Sequence, residues 1–197
     1  MNARLVVLAS GTGTLLEALL DSSIGGQVVG LVSDQPESRV VHVAESRGIF
    51  TRCVSLGDYS SRESWESDLL AQVSELGPDL IIAAGFMRIL SPQFVDQFPR
   101  QIINSHPSLL PLFPGAHAVR DTMAAGVKVT GCTVHFIDHG VDTGEIIAQQ
   151  QVSVQPGESE SELHERIKLI ERRLLPRSIE QLIESHSGIS NFGKGTK

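Results

Sequence analysis

The chain has 197 residues, of which 41% are hydrophobic and 20% charged, ordinary proportions for one globular domain with its own core. A formal net charge of -7 and the lack of any Lys/Arg cluster disfavour nucleic acid as a partner. No apolar run approaches the roughly 18 residues of a membrane span. The N-terminal run is also too short for a signal-peptide core. Because Cys53 and Cys132 each fall in an apolar run, we expect buried, reduced thiols and a cytoplasmic protein without membrane contact.

Apolar runs alternate with segments of helical periodicity, which is the pattern of a parallel sheet with crossover helices. Strands are predicted at 5–9, 28–32, 51–54, 80–84 and 101–104, and helices at 14–20, 38–47 and 63–76. The two later strands, 129–137 and 145–154, have no helix between them and are expected to be antiparallel. We therefore predict a single-domain, Rossmann-like α/β fold with a mixed, mostly parallel sheet flanked by helices.

One more helix is predicted near the C-terminus. It begins near Ser159, because Ser159 and Glu162 have the spacing of a capping box. Pro176 is expected to kink or break it, since proline lacks the N–H that an inner helical turn needs. We expect one domain over 1–185 and a flexible, polar tail over 186–197.

A short glycine-containing loop, Ser10-Gly11-Thr12-Gly13-Thr14, connects the first strand to the first helix. Glycines there allow close approach to a ligand, and free N–H groups at a helix N-terminus favour phosphate. The loop is neither a dinucleotide fingerprint nor a Walker loop, because Leu16 replaces the third glycine and no Gly-Lys-Ser/Thr follows. A phosphate site and a plain tight turn are both compatible with it.

The stretch Asn104-Ser105-His106-Pro107-Ser108-Leu109-Leu110-Pro111 leaves a strand and enters a Pro-rich loop. Residues at i and i+2 of a strand share a face, so Asn104 and His106 should project together, with Ser105 turned away. An amide and an imidazole side by side can stabilise an oxyanion, and the imidazole can also transfer a proton. The competing interpretation is a capping Asn and a structural His.

A turn-rich segment, Asp138-His139-Gly140-Val141-Asp142-Thr143-Gly144, joins the two late strands. It can be a loop closed by Asx turns. It can also supply a carboxylate that orients and charge-stabilises the imidazole of His106. The sequence by itself leaves both interpretations open.

Several of these pieces, in the same order, resemble phosphoribosylglycinamide formyltransferases. The likeness lies in Ser10 to Thr14, Gly85-Phe86-Met87-Arg88-Ile89-Leu90-Ser91-Pro92, Asn104 to Pro111, Phe113-Pro114-Gly115-x-His117, and Val134-His135-Phe136 through Asp142-x-Gly144. It spans nearly the whole chain and implies that 1–185 form a formyltransferase domain. The family's substrates are 10-formyltetrahydrofolate, which serves as the co-substrate, and glycinamide ribonucleotide, and it needs no metal.

The resemblance also implies roles for particular residues. Asn104 and His106 would polarise the formyl oxygen, His106 would donate a proton, and Asp142 would support His106 and help relay the proton through water. The acceptor ribonucleotide would be bound by Gly11, Thr12, Gly13, Thr14, Leu15, Lys168 and Glu171. The folate would be bound by Arg62, Met87, Arg88, Ile89, Leu90, Asn104, Asp138, His139, Gly140 and Val141.

Several implied roles have simpler competitors. Lys168 and Glu171 have the spacing of a surface ion pair, and Met87, Ile89 and Leu90 can be plain core. Arg62 can be merely solvated, and His135 is interpreted as a structural support; His117 receives no role.

Two positions depart from the family pattern. Leu15 lacks a side-chain amide, which limits it to backbone contact with a phosphate. Glu145 stands where proline is frequent, which puts the rigidity of this loop in question.

Three other functions compete with this one. Methionyl-tRNA formyltransferases share the Asn-x-His-Pro stretch but continue with a basic segment, whereas this chain reads Leu112-Phe113-Pro114-Gly115. Formyltetrahydrofolate hydrolases usually add an N-terminal regulatory domain, which we do not expect here. A non-enzymatic nucleotide-binding module would explain only the first loop. The sequence does not determine the oligomeric state, and a homodimer is compatible with it.

Overall fold

The computed structural model describes residues 3–186, which form one seven-stranded sheet with helices on both faces. The strands are β1 (Leu5–Leu8), β2 (Val28–Ser33), β3 (Thr51–Cys53), β4 (Leu80–Ala83), β5 (Ile102–His106), β6 (Val129–Phe136) and β7 (Ile146–Ser153). Their order is β3-β2-β1-β4-β5-β6-β7, and all pairs from β3 to β5 are parallel. The pairs β5–β6 and β6–β7 are antiparallel. The predicted mixed, mostly parallel sheet is confirmed.

Within residues 3–186, six α-helices connect or cover these strands. They are α1 (Thr14–Leu20), α2 (Arg39–Ser46), α3 (Arg62–Glu75), α4 (Pro92–Gln97), α5 (Ala118–Ala124) and α6 (Glu160–His186). The predicted capping box opens α6: the Ser159 N–H donates to the Glu162 carboxylate, and the Glu162 N–H donates to Ser159 Oγ.

Each face of the sheet has its own hydrophobic core. On one face Leu5, Val7 and Ile103 pack against α1, α2 and α6. On the other face Val6 and Leu8 pack against α3 and α4, where the largest buried side chain is Trp65. Burial on both faces explains why β1 and β4 are continuous apolar runs rather than alternating ones.

The topology creates a crevice at one end of the sheet. The chain moves outward from β1 to β2 and β3, then returns to the other side of β1 with β4. Loops that leave β1 and β4 therefore separate at the carboxyl ends of two neighbouring strands, which is where open α/β sheets bind ligands. The first loop and the segment around Met87 both lie at this switch point.

Four details differ from the sequence prediction. The short helices α4 and α5 were not predicted, and β5 extends to His106. A kink or a break was predicted at Pro176. Helix α6 continues through this residue, so a break is wrong, because Leu175 and Ile179 on either side are fully buried and packing holds the helix together. The predicted tail lies outside the described residues except for His186, the last residue of α6.

The two cysteines are both free, but only Cys132 is buried. Cys53 is exposed because it ends β3, a three-residue strand at the edge of the sheet, so the prediction of two buried thiols is wrong. Within residues 3–186, no helix has the length and apolar character that crossing a membrane requires.

Candidate active site

Strand β5 presents polar groups on both faces of the sheet at its carboxyl end. Asn104 and His106 lie on the face of Ile102, toward α3 and α4. Ser105 lies on the face of Ile103, toward α6, where it contacts Glu171. This is the alternation that the sequence predicts.

Asp142 bridges two imidazole rings. Its Oδ2 lies 3.3 Å from His106 Nδ1, and its Oδ1 lies 3.5 Å from His135 Nε2. Oδ2 also accepts the backbone N–H of Gly115 at 2.7 Å. The loop between β6 and β7 thus carries its carboxylate back to β5, over 36 positions of sequence from His106 to Asp142.

The charge of Asp142 is stabilised locally. Burial by itself raises the pKa of this carboxyl, but the hydrogen bond from His135, the Gly115 N–H and the charges of His106 and His135 outweigh burial, so the pKa is lowered. Asp142 has φ 54, in the left-handed region that Asp tolerates better than most residues. The backbone strain is the cost of turning the carboxylate inward.

His135 belongs to this cluster, whereas its place on a strand predicts only a structural support. It stands opposite Asn104 in the β5–β6 register, and Asn104 Nδ2 lies 3.2 Å from His135 Nε2. His135 Nδ1 lies 2.8 Å from the carbonyl of Phe136, which can only accept, so Nδ1 carries a proton. In the neutral ring, Nε2 then accepts from Asn104. Only in the charged ring does Nε2 carry a proton that faces Asp142, and that form lowers the pKa of the carboxyl. The antiparallel pairing of β5 and β6 is the feature from which this contact could have been predicted.

The Pro-rich loop covers His106. The carbonyl of Phe113 lies 2.8 Å from His106 Nε2, and only 6% of the His106 side chain is exposed. Both ring nitrogens of His106 therefore face acceptors, Phe113 on one side and Asp142 on the other. A further group can accept a proton from this ring only by displacing one of these partners.

The first loop turns its N–H groups away from the protein's own acceptors. The carbonyl of Gly11 accepts the N–H of Val40, and the carbonyl of Thr12 accepts the Arg39 guanidinium. Among the described residues, the N–H groups from Gly11 to Leu15 find no acceptor. The Leu15 side chain packs on the core, so this departure from the family pattern leaves only its backbone toward a ligand.

The segment after β4 is an exposed apolar edge rather than plain core. Met87 is 76% and Ile89 69% exposed, while Leu90 packs partly on the core below. The core interpretation of Met87 and Ile89 is therefore wrong, because the chain leaves the sheet at Gly85 and runs over its end.

Arginines fix this segment from both sides. Arg62 Nη2 donates to the Ile89 carbonyl at 2.9 Å, so Arg62 is not merely solvated. Arg88 Nε lies 2.7 Å from Oδ2 of the buried Asp34. The Met87 N–H donates to Ser10 Oγ at 2.9 Å, which joins the segment to the first loop. The ion pair with Asp34 holds the Arg88 side chain, although a third of that side chain stays exposed.

The loop after β6 is closed by Asx-type hydrogen bonds and also supplies a carboxylate to His106, so both interpretations of its sequence hold. Asp138 Oδ1 accepts from the Gly140 N–H at 3.0 Å and from Thr143 Oγ1 at 2.7 Å, which is an Asx-type closure. His139 pairs with Asp96 on the surface at 2.8 Å, and Val141 is exposed. The closed turn is what aims Asp142 at the imidazoles.

Glu145, the other departure, is tied down at the end of this loop. Its carboxylate forms an ion pair with Arg100, whose hydrogen bond and charge lower the pKa of Glu145. Its carbonyl accepts the Phe136 N–H at 2.9 Å. The residue that replaces proline therefore anchors the loop by other contacts.

Lys168 and Glu171 do not form the surface ion pair that their spacing allows. Lys168 Nζ pairs with Glu165 at 2.8 Å. Glu171 is only 7% exposed and accepts a hydrogen bond from Ser105 Oγ at 2.9 Å. Within residues 3–186, no group of three or more His, Cys, Asp and Glu side chains is arranged to hold a metal ion.

The chain is similar to several characterised proteins. A phosphoribosylglycinamide formyltransferase of Mycobacterium tuberculosis (strain ATCC 25618 / H37Rv) is 50% identical over 183 residues, which cover 91% of this chain and 85% of the relative. That of Escherichia coli (strain K12) is 35% identical over 87% of this chain and 83% of its own length. The crystal structure of glycinamide ribonucleotide transformylase 1 from Symbiobacterium toebii matches with a TM-score of 0.89 at 38% identity, over 93% of this chain and 89% of that one.

The family model described as formyl transferase matches residues 3–179, which include every side chain of the cluster around Asp142. The match spans all seven strands and most of α6. The chain therefore belongs to the formyl transferase family.

Proposed function

We propose that this enzyme transfers the formyl group of 10-formyltetrahydrofolate to the amine of glycinamide ribonucleotide, a step of purine biosynthesis. The observation that carries the proposal is the cluster of Asn104, His106 and His135 around the ionised Asp142, at the carboxyl end of β5. Relatives that bear this activity in their names support the choice of substrates. Free cysteines agree with a reducing compartment, and we propose the cytoplasm.

The cluster has the groups that formyl transfer to an amine requires. Attack of the neutral amine on the formyl carbon creates an oxyanion, which the second N–H of the Asn104 amide and the His106 ring can stabilise. His106 then delivers a proton to the departing folate nitrogen as the bond between that nitrogen and the formyl carbon breaks. Water relays to His106 the proton that the attacking amine gives up, and Asp142 orients the ring, balances its charge and assists this relay.

The ligands are proposed to meet over the end of the sheet. The folate lies along Met87, Arg88, Ile89 and Leu90, beside Arg62, and against Asp138, His139, Gly140 and Val141. The acceptor lies between the loop formed by Gly11, Thr12, Gly13, Thr14 and Leu15 and the α6 residues Lys168 and Glu171. The exposed apolar edge at Met87 and Ile89 supports the first placement, and the free N–H groups of the first loop support the second.

The direct test is to incubate the protein with 10-formyltetrahydrofolate, with and without glycinamide ribonucleotide, and to follow deformylated folate and formylated product. The proposal expects folate consumption only when the ribonucleotide is present. Consumption without the ribonucleotide, with release of formate, would identify a hydrolase instead. No reaction under either condition contradicts both activities.

The first loop offers a sharp variant. Gly11→Val should raise the acceptor KM on the order of tenfold, because a branched side chain would crowd the N–H groups proposed to bind phosphate. A Cβ at Gly11 meets no atom within 4 Å, so the fold should be kept, whereas Gly13 has φ 77 and its Cβ would lie 2.9 Å from Val40 Cα. Steady-state kinetics with each substrate varied in turn measure the effect.

Gly26→Val is the matched control for this variant. Gly26 is also open to solvent, with no atom within 4 Å of an added Cβ, but it precedes β2 at the opposite end of the sheet. Its kinetics should match the wild type. An unchanged acceptor KM in folded Gly11→Val would contradict the proposal that this loop binds the phosphate of the acceptor.

A further inference from the structure

A polar chain with two buried members, Cys132 and Glu171, and the half-buried Ser105 between them lies on the face of β5 that is turned away from Asn104 and His106. Ser105 Oγ lies 2.9 Å from Glu171 Oε1 of α6 and 3.3 Å from Cys132 Sγ of β6. All three side chains sit among apolar residues: Ile103 precedes Ser105 in one core, and Cys132 and Ile167 belong to another. Polar groups in such surroundings are costly unless each has a partner.

Chemistry fixes the direction of these hydrogen bonds. An ionised carboxylate can only accept, so Ser105 donates its proton to Glu171. The Ser105 oxygen can then accept from the thiol of Cys132. Burial, followed by the nearby charge of Glu171, raises the pKa of Cys132 to about 12, so the thiol keeps its proton. Ser105 is the only one of the three that both donates and accepts within the chain.

Glu171 depends on this donor. Burial raises the pKa of its carboxyl, while the Ser105 hydrogen bond and the charges of Lys168 and Arg172 act in the opposite direction. Lys168 and Arg172 come from its own helix, and Ser105 and Cys132 face it from the sheet. Oε1 is held by Ser105. Within the described part of the chain Oε2 makes no hydrogen bond, and it is not one of the fully buried polar atoms that lack a partner.

We propose that Ser105 is a positioning residue whose hydroxyl holds the Glu171 carboxylate in place, with Oε2 directed to accept a hydrogen bond from a hydroxyl or ammonium group of the acceptor ribonucleotide. The inference rests on the proposed function, because it assumes the acceptor site at α6. Strand β5 then serves both substrates: Asn104 and His106 act on the formyl group from one face, and Ser105 acts through Glu171 from the other.

The test compares Ser105→Ala, which removes the donor, with Ser105→Thr, which keeps it. Ser105→Ala should raise the acceptor KM about tenfold or more, the scale of a hydrogen bond to a charged group, and leave the folate KM unchanged. The acid limb of kcat/KM for the acceptor should move to higher pH, because loss of the donor disfavours the charged carboxylate. Ser105→Thr should keep the wild-type acceptor KM and the wild-type acid limb, and so should Cys132→Ala.

A second comparison holds even if Ser105→Ala folds poorly. Glu171→Gln keeps the volume but not the charge, and it should raise the acceptor KM and abolish the acid limb that belongs to Glu171. When Glu171→Gln is already present, adding Ser105→Thr should leave the acceptor KM unchanged. Adding Ser105→Ala should not raise the acceptor KM further, since the hydroxyl acts through the carboxylate. An additional acceptor loss would assign Ser105 a separate role.

The outcomes also separate this inference from the proposed function. If the wild type transfers formyl groups but Ser105→Ala keeps its acceptor KM and pH profile, only the positioning role is overturned. If the wild type transfers none, the proposed function fails. Calorimetric titration with glycinamide ribonucleotide then decides the matter for Ser105: equal Kd values for wild type and Ser105→Ala overturn the inference too.

Discussion

His106→Ala and Asp142→Asn are each expected to lower kcat on the order of 10²-fold or more, the scale of general acid–base groups. The reason is geometric: the Asp142 carboxylate lies 3.3 Å from His106 Nδ1. The other proposed catalytic-site side chain that it contacts is His135, so we expect Asp142 to act through the imidazole of His106. Because the two residues act as one unit, the double variant should lose little beyond the worse single variant. Rapid-quench or steady-state kinetics on all four proteins measure this coupling.

The choice of Asn at position 142 isolates the charge. Asp142 has φ 54, and Asn is among the few residues that accept this conformation, so the loop should keep its shape. The pKa of Asp142 is lowered, so the wild-type carboxylate is charged at every pH above the ordinary Asp range and loses its effect only as the pH falls through that lowered value. Asp142→Asn removes the charge partner of the imidazole at all pH values, and its pH–rate profile should differ from that of the wild type.

A carboxylate elsewhere supplies the control for this pair. Asp79 precedes β4 at the opposite end of the sheet and accepts the Arg4 N–H at 2.7 Å. Asp79→Asn removes a similar charge and should leave kcat unchanged. Losses that multiply in the double variant, together with an unaltered pH profile, would show that Asp142 works independently of His106.

Asn104→Ala should lower kcat on the order of 10²-fold to 10³-fold, the cost of removing one oxyanion donor. One N–H of the amide reaches His135 Nε2 at 3.2 Å, which leaves the second for the developing charge. Asn104→Asp should be at least as damaging, since it replaces a donor with a negative charge beside the oxyanion. The folate KM should change less than kcat, because the lost interaction is made mainly in the transition state.

Gln101→Ala is the matched variant for Asn104. Gln101 also carries an amide, but it directly precedes β5, and its Nε2 donates to the Asp79 carbonyl at 3.1 Å. It should behave as the wild type. Equal kcat values for Asn104→Ala and Gln101→Ala would exclude Asn104 as an oxyanion donor.

The fold could be predicted from the sequence where burial determines the pattern of apolar residues. Strands such as β4, covered on both faces, are unmistakable apolar runs, and the missing helix between β6 and β7 predicted their antiparallel pairing. The prediction failed where tertiary packing decides. Pro176 is tolerated inside α6 because its neighbours are buried, and Cys53 is exposed because β3 lies at the sheet edge.

The candidate site was less accessible to sequence reasoning. Alternation along β5 placed Asn104 and His106 on one face, but their contacts to His135 and Asp142 depend on the β5–β6 register and on a loop with a left-handed residue. Neither can be read from local periodicity. The same holds for Glu171, whose helical spacing indicated an ion pair with Lys168, while the structure buries it against a strand 66 positions earlier.

Helix α6 has a consequence for how the protein is made. It is the last described element to leave the ribosome, yet it packs against α1 and against β6 and β7, and Leu163, Ile167 and Leu175 on it are fully buried. A nascent chain that ends before α6 exposes those apolar surfaces and lacks Glu171. Synthesis therefore delays the proposed acceptor site until α6 docks, and we expect that a chain ending before α6 does not compete for the proposed ribonucleotide substrate.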